Sequence, residues 1–396
     1  MLQLFNKRDP ENWVSISLVS FLGVIALTPF MILPVLVFAY DKLLGFGPDN
    51  AGRVSSAALA GIAITTIFVA LNAKHWPLAK VSRLGMTMVL IFKLIALWVH
   101  SLWLFALLVF LAGLGSGFVQ ASVAAALART ENPERAFGIY IGWQFALTAI
   151  GFLWFPDLIN GQGFTSFLSG YNAMAFVILI LSALAWIITP VLSSYRLPAS
   201  EDGKKLEISL ICQRPALLST IGIMFFGAAI AALFAYAEGI VNAAGLDVIH
   251  TGEVLAYATA ASVFGSLVVI WLQDKIGHYI PVTFGIIIQL ICIYVLLNNA
   301  SSIVYAVAFS GFSIALAFTW PYFLSIQADI DNTGTVTAFG QFANMAGTAL
   351  GPLTAASFVG AGGDYVRALG VACLFLVFAF FAIVLVKITL NKSVAA

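Results

Sequence analysis

The sequence predicts an all-α integral membrane fold with about twelve transmembrane helices in two pseudo-symmetric six-helix bundles. Composition is the first ground: 62% of the 396 residues are hydrophobic and 9% charged, with a mean hydropathy of +1.03, whereas water-soluble domains carry about 25% charged residues. An internal echo is the second. Gln144, Thr148, Ala149, Ile150 and Gly151 are answered by Asn344, Thr348, Ala349, Leu350 and Gly351, and Phe38-Ala39-Tyr40 by Phe234-Ala235-Tyr236. Repeats on this scale set the architecture before any local feature does. The third ground is a lopsided distribution of lysine and arginine.

A span needs roughly 20 apolar residues. The first such stretches run near Trp13 to Tyr40, Ala51 to Leu71, Leu84 to Val99, Leu102 to Leu127, Ala136 to Phe155 and Tyr171 to Leu192. The second set runs near Ala216 to Ile240, Gly252 to Leu272, Ile280 to Leu297, Ile303 to Ile326, Thr335 to Val359 and Val366 to Val386. Residues 1–192 are therefore expected to form an N-terminal bundle and residues 216–396 a C-terminal one, joined by a cytoplasmic linker over 193–215 that carries Glu201, Asp202, Lys204, Lys205 and Arg214.

Basic residues near span ends are retained on the cytoplasmic side. With a cytoplasmic amino terminus, only Lys42, Arg53 and Arg367 fall outside and Lys93 falls within a span, while the rest of the 18 basic residues lie inside. The expectation is a multi-pass protein of the cell (inner) membrane with both termini cytoplasmic. No cleaved signal peptide is expected, because the first apolar stretch is too long for one.

Several classes of chemistry find no support. Cys212, Cys292 and Cys373 lie far apart and form no metal or disulfide pattern. A net charge of +1 without basic runs gives no footprint for nucleic acid. There is no phosphate-binding Gly-x-x-x-x-Gly-Lys loop, no His/Glu zinc motif and no Gly-x-Ser-x-Gly elbow. No cofactor, metal or catalytic residue is expected.

Six plus six spans, a basic linker and parallel repeats resemble the major facilitator superfamily of transporters over essentially the whole chain. The family's cytoplasmic loop signature survives in part as Asp274-Lys275-Ile276-Gly277-His278, with Ile270 at its first glycine. The first-half counterpart, Leu71-Asn72-Ala73-Lys74-His75, lacks the carboxylate. The arginine that often precedes Gly-x-Gly in the fourth span is replaced by Val109 before Gly113-Leu114-Gly115. The resemblance implies a secondary or facilitative transporter that moves a small organic solute by alternating access, and not an enzyme. It also implies a cytoplasmic latch at Asp274, Lys275 and Gly277. A transport-derived solute sensor and, more remotely, a membrane-embedded enzyme are the alternatives.

Polar residues within spans point to the site, because each costs free energy unless it meets a partner or water. Gln144 and Thr148 share one face of the fifth span, and Gln341, Asn344 and Thr348 share one face of the eleventh. In the family resemblance these spans line a cavity; the competing role is fastening between helices. Gln120 is a further candidate of the same kind, and Trp320 and Tyr322, with Trp143, would suit an amphipathic or aromatic solute. Counting about 1.5 Å per residue puts Asp41 and Glu238 at the outer ends of the first and seventh spans. With Tyr40 and Tyr236 they are candidates for an outer gate or for coupling to an ion. Lys93, near the middle of the third span, is an intramembrane charge that needs compensation. Gly113 and Gly117, like Gly347 and Gly351, share a helix face and read as packing seams. Pro34, Pro321 and Pro352 read as kinks. The partners expected are thus a small solute, the bilayer and, in one alternative, a coupling ion, for a monomeric protein.

Overall fold

A computed structural model describes residues 9–72, 77–127, 129–130, 133–160, 169–195, 208–243, 248–272, 275–298, 301–330 and 335–395. All the regular structure among them is helical. The chain divides into two compact units, Met1–Gly203 and Lys204–Ala396.

The N-terminal unit opens on α1 (Trp13–Ala26), whose first turn is capped by Asn12, its side-chain Oδ1 accepting from the Val14 N–H at 3.0 Å. The first crossing then breaks into α2 (Thr28–Met31) and α3 (Leu33–Phe38). Proline lacks the N–H that would bond the carbonyl four residues back, so Pro29 and Pro34 start new segments. Thr28 repairs part of the first break by donating its hydroxyl to the Ile25 carbonyl at 2.7 Å. A π-helical turn, Ala39–Leu43, follows and carries Tyr40 and Asp41. The chain thus breaks at Pro34 as expected and also one proline earlier, at Pro29, whereas Pro321 and Pro352 lie inside helices that continue through them.

The unit continues with α4 (Pro48–Asn72), α5 (Leu78–Ala96), α6 (Leu102–Leu127), α7 (Pro133–Asn160) and α8 (Tyr171–Ile188), the last ending in a 3-10 turn, Thr189–Ser194. Its core joins Ile16, Val19 and Leu22 of α1 to Met86 of α5, Val119 and Val123 of α6 and Tyr140 of α7.

Lipid supplies no hydrophobic force between spans, so close backbone approach holds them. Where α4 crosses α6, a Cβ on Gly61 would fall 2.7 Å from the Leu114 amide nitrogen, and one on Gly113 would meet the Ala58 carbonyl. Gly117 faces Ile62 and Thr65 there, and the Thr65 hydroxyl donates across the contact to the Leu114 carbonyl at 2.8 Å.

The C-terminal unit comprises α9 (Ile208–Ile211), α10 (Arg214–Ala235), α11 (Ala237–Ala243), α12 (Val248–Leu272), α13 (Tyr279–Asn298), α14 (Ser302–Ile330), α15 (Thr335–Val359) and α16 (Tyr365–Ala395). Here α15 packs on α10 through glycine: Gly347 faces Met224 and Ala228, and Gly351 faces Ala228 and Ala232. Among the described residues, nine helices are long and apolar enough to cross a bilayer. The sequence spans outside that set are the segmented first one, α5 with its Lys80, Arg83 and Lys93, and the polar-striped α15.

Candidate functional site

In the N-terminal unit the fourth and fifth spans meet through three polar side chains. Gln120 of α6 donates its Nε2 to the Tyr140 hydroxyl of α7 at 2.6 Å, and Gln144 lies one turn further along the same face of α7, near that hydroxyl. Tyr140 has room because α1 offers glycine opposite: a Cβ on Gly23 would lie 2.9 Å from its ring. The Oε1 of Gln120 and the hydroxyl of Thr148 are buried without a hydrogen-bond partner among the described residues. Sequence analysis singled out Gln120, Gln144 and Thr148 and missed the phenol that Gln120 bonds. Its signal was visible, since Tyr140 stands four residues before Gln144 and so on the same helix face. Next to this group Trp143 meets Phe21 edge-on, with ring centroids 6.5 Å apart.

The matched region of the C-terminal unit is built differently. Trp320 of α14 stacks on Phe226 of α10 at 6.4 Å and 20°, and Phe226 also packs on Phe323 at 4.8 Å. Trp320 is half-buried, whereas Tyr322 is buried beside Phe318. On α15, Gln341 is half-buried. Asn344 is 4% exposed and lies against Gly227 of α10, where a Cβ would come 2.5 Å from its Nδ2. Thr348 is buried and donates to the Met345 carbonyl at 2.7 Å. In this structure Asn344 belongs to the α10–α15 contact, and the Thr348 hydroxyl bonds within its own helix. Sequence analysis also missed Gln327 of α14, which is fully buried against Gly340 with both amide atoms unpartnered among the described residues.

At the outer ends, Tyr40 is buried in its own unit between the rings of Phe105 (5.3 Å) and Tyr171 (5.8 Å). Asp41 pairs with Lys42 at 3.1 Å. Tyr236 is buried beside Tyr365, ring centroids 6.1 Å apart. Glu238, in the first turn of α11, is only 1% exposed, and neither carboxylate oxygen has a hydrogen-bond partner among the described residues. It lies three residues past the end of α10, so counting rise along the seventh span places it at the outer end but says nothing of the side chain's burial.

Asp274 lies outside the described residues. Beside it, Lys275 donates to the Trp271 carbonyl at 3.0 Å and sits 5.1 Å from that indole ring. Gly277 takes φ +66°, a left-handed turn that glycine adopts without strain. His278 meets Asp329 at the end of α14, Nδ1 to Oδ2 2.7 Å. Lys93 differs from its expected place: α5 starts earlier than the hydropathy window and stops at Ala96, so the lysine falls in its last turn. No group of three or more His, Cys, Asp or Glu residues that would hold a metal ion occurs among the described residues.

The family model of the Major Facilitator Superfamily matches residues 15–352, and the chain belongs to that superfamily. It is therefore a multi-pass membrane transporter and not an enzyme. Among solved structures, the nucleoside transporter NupG is similar with TM-score 0.73 and 13% identity, over 94% of this chain and 98% of that one. A bacterial homologue of the human lysosomal transporter Spinster is similar with TM-score 0.74 and 13% identity, covering 96% and 97%. A bacterial homologue of the human drug peptide transporters PepT1 and PepT2 is similar with TM-score 0.73 and 14% identity, covering 96% and 98%. At such identities these likenesses speak for the two-bundle, twelve-helix fold alone. A comparison with curated proteins gave no match.

Proposed function

We propose that the protein moves a small, weakly polar or aromatic organic solute by alternating access, and that the Gln120–Tyr140–Gln144 group binds it. The observation that carries this reading is that group itself: two amides and a phenol on neighbouring spans, with the Oε1 of Gln120 left unpartnered among the described residues. Uncharged donors and acceptors discriminate strongly among hydrogen-bonding solutes, because a wrong solute leaves them unpaired. Within the C-terminal unit, the half-buried Trp320 on its Phe226 shelf offers a surface suited to a planar ring. Gln341, half-buried on α15, is the polar group assigned to the C-terminal unit, and Tyr40 and Tyr236 are outer-end gate residues in this proposal.

The test is a thermal-shift screen of the purified protein against uncharged heteroaromatic solutes, nucleosides included, followed by flux into proteoliposomes. A hit whose affinity survives both Tyr140→Phe and Gln144→Ala removes the site assignment. Binding without flux would favour the sensor. The location in the cell membrane with cytoplasmic termini is proposed from the charge distribution and is open to terminal tagging.

A second reading concerns coupling. Glu238, buried without a hydrogen-bond partner among the described residues, is the one carboxylate that we propose binds a proton or cation during transport. Glu238→Gln is then expected to abolish gradient-driven accumulation while solute exchange persists. Unchanged accumulation would leave the protein a facilitator.

A further inference from the structure

A narrow cavity lies wholly within the N-terminal unit. It is lined by Lys93 of α5, Thr28 and Pro29 at the break in the first crossing, Tyr40 of the π-helical turn and Tyr171 at the start of α8. None of Gln120, Tyr140 and Gln144 lines it, so it stands apart from the proposed solute site.

Its chemistry is one-sided. Lys93 makes no hydrogen bond or ion pair among the described residues, and no Asp or Glu lines the cavity. The Thr28 hydroxyl is committed to the Ile25 carbonyl. What remains is a set of donors: an ammonium with three N–H groups and the phenols of Tyr40 and Tyr171, whose rings lie 5.8 Å apart. The helix ends reinforce the bias. Lys93 sits in the last turn of α5, the end that favours a cation. Tyr171 is the first residue of α8, whose Gly170 cap supplies no side-chain acceptor, so the amides of an 18-residue helix begin here. An ammonium inside a bilayer is costly unless an opposite charge meets it, and the surrounding wall offers none.

We infer that this cavity binds a small monovalent anion, a halide ion or the carboxylate of a short acid, between the Lys93 ammonium and the hydroxyls of Tyr40 and Tyr171. The anion completes the ion pair that the chain leaves open and holds α5, the end of the first crossing and α8 together. This is a structural and regulatory site for the unit, filled whatever the transported solute is.

Thermal unfolding of the purified full-length protein tests it, with sodium gluconate replaced at constant ionic strength by sodium bromide in one arm and sodium acetate in another. The wild-type midpoint is expected to rise saturably in at least one arm, by linkage of binding to folding. The arm that responds tells halide from carboxylate. Lys93→Gln is expected to weaken the apparent affinity about tenfold or more, and Tyr171→Phe to weaken it less. A wild type without a saturable rise overturns the proposal, as does an equal rise in Lys93→Gln. Should Lys93→Gln not fold, a wild-type crystal soaked in the anion of the responding arm decides, bromide by its anomalous peak or bromoacetate in place of acetate: a peak beside Lys93 supports the site, and a site without one refutes it.

Discussion

Helices α7 and α15 carry nearly the same phrase at a spacing of 200 residues, yet the position that holds Tyr140 in the first holds Gly340 in the second. Around Tyr140, α6 supplies an amide that bonds the phenol and α1 supplies the glycine that makes room for it. Around Gly340, α14 supplies an amide from further along its length, and Gln327 fills the space that a side chain would take. The matched positions are filled from opposite partners. One unit spends its polar groups on a hydroxyl network beside half-buried amides, and the other locks an amide inside and shows an indole instead. Duplication supplies the helices; substitution on either side of one contact supplies two different surfaces.

Exchanging the two solutions breaks this comparison hardest. Tyr140→Gly, which gives α7 the residue of α15, removes a buried ring and the hydrogen-bond partner of the Gln120 amide. It is expected to cost about 4 kcal/mol, read as a large fall in the unfolding midpoint together with lost solute binding. The reciprocal Gly340→Tyr forces a ring into Gln327 and is expected to cost about 3 kcal/mol. Adding Gln327→Leu, the residue at the matched position 127, should recover part of that loss. No recovery in the double variant would show that the two contacts are not equivalent.

Finer changes sharpen the picture. Tyr140→Phe keeps the ring and deletes the hydroxyl, with an expected cost of about 1 kcal/mol in stability and a larger relative effect on solute affinity in equilibrium binding. Asn344→Ala is expected to lower the unfolding midpoint by a comparable amount while leaving solute affinity alone, because Asn344 packs on Gly227. A change in affinity without a change in midpoint would reverse that assignment. Asp329→Asn, at the exposed end of α14, is expected to alter stability by less than about 1 kcal/mol.

The fold was legible because apolar length and a 200-residue repeat are properties of the chain itself, independent of which side chains touch. The glycine pairs 113 and 117, and 347 and 351, were legible for the same reason: helical spacing alone puts each pair on one face, and both prove to be backbone contacts. Partnership is what the sequence hides. Gln144 and Asn344 occupy the same place in the echo, but which one meets a phenol and which a glycine depends on α6 and α10. Gln327 has no counterpart in the repeat, and the cavity beside Lys93 depends on where α5 stops and where the first crossing breaks. Hydropathy windows blur both of those boundaries.

Gly61, Gly113 and Gly117 press α4 and α6 together almost without intervening side chains, and Thr65 rivets them. Such a pair bends and slides reluctantly, so it acts as a single strut. The first crossing is the opposite kind of part, cut at Pro29 and again at Pro34 into short lengths joined by pliable joints. A stiff beam beside a jointed rod localises deformation in the rod, which makes the stretch from Leu27 to Leu43 the elbow about which this half of the molecule is built to flex.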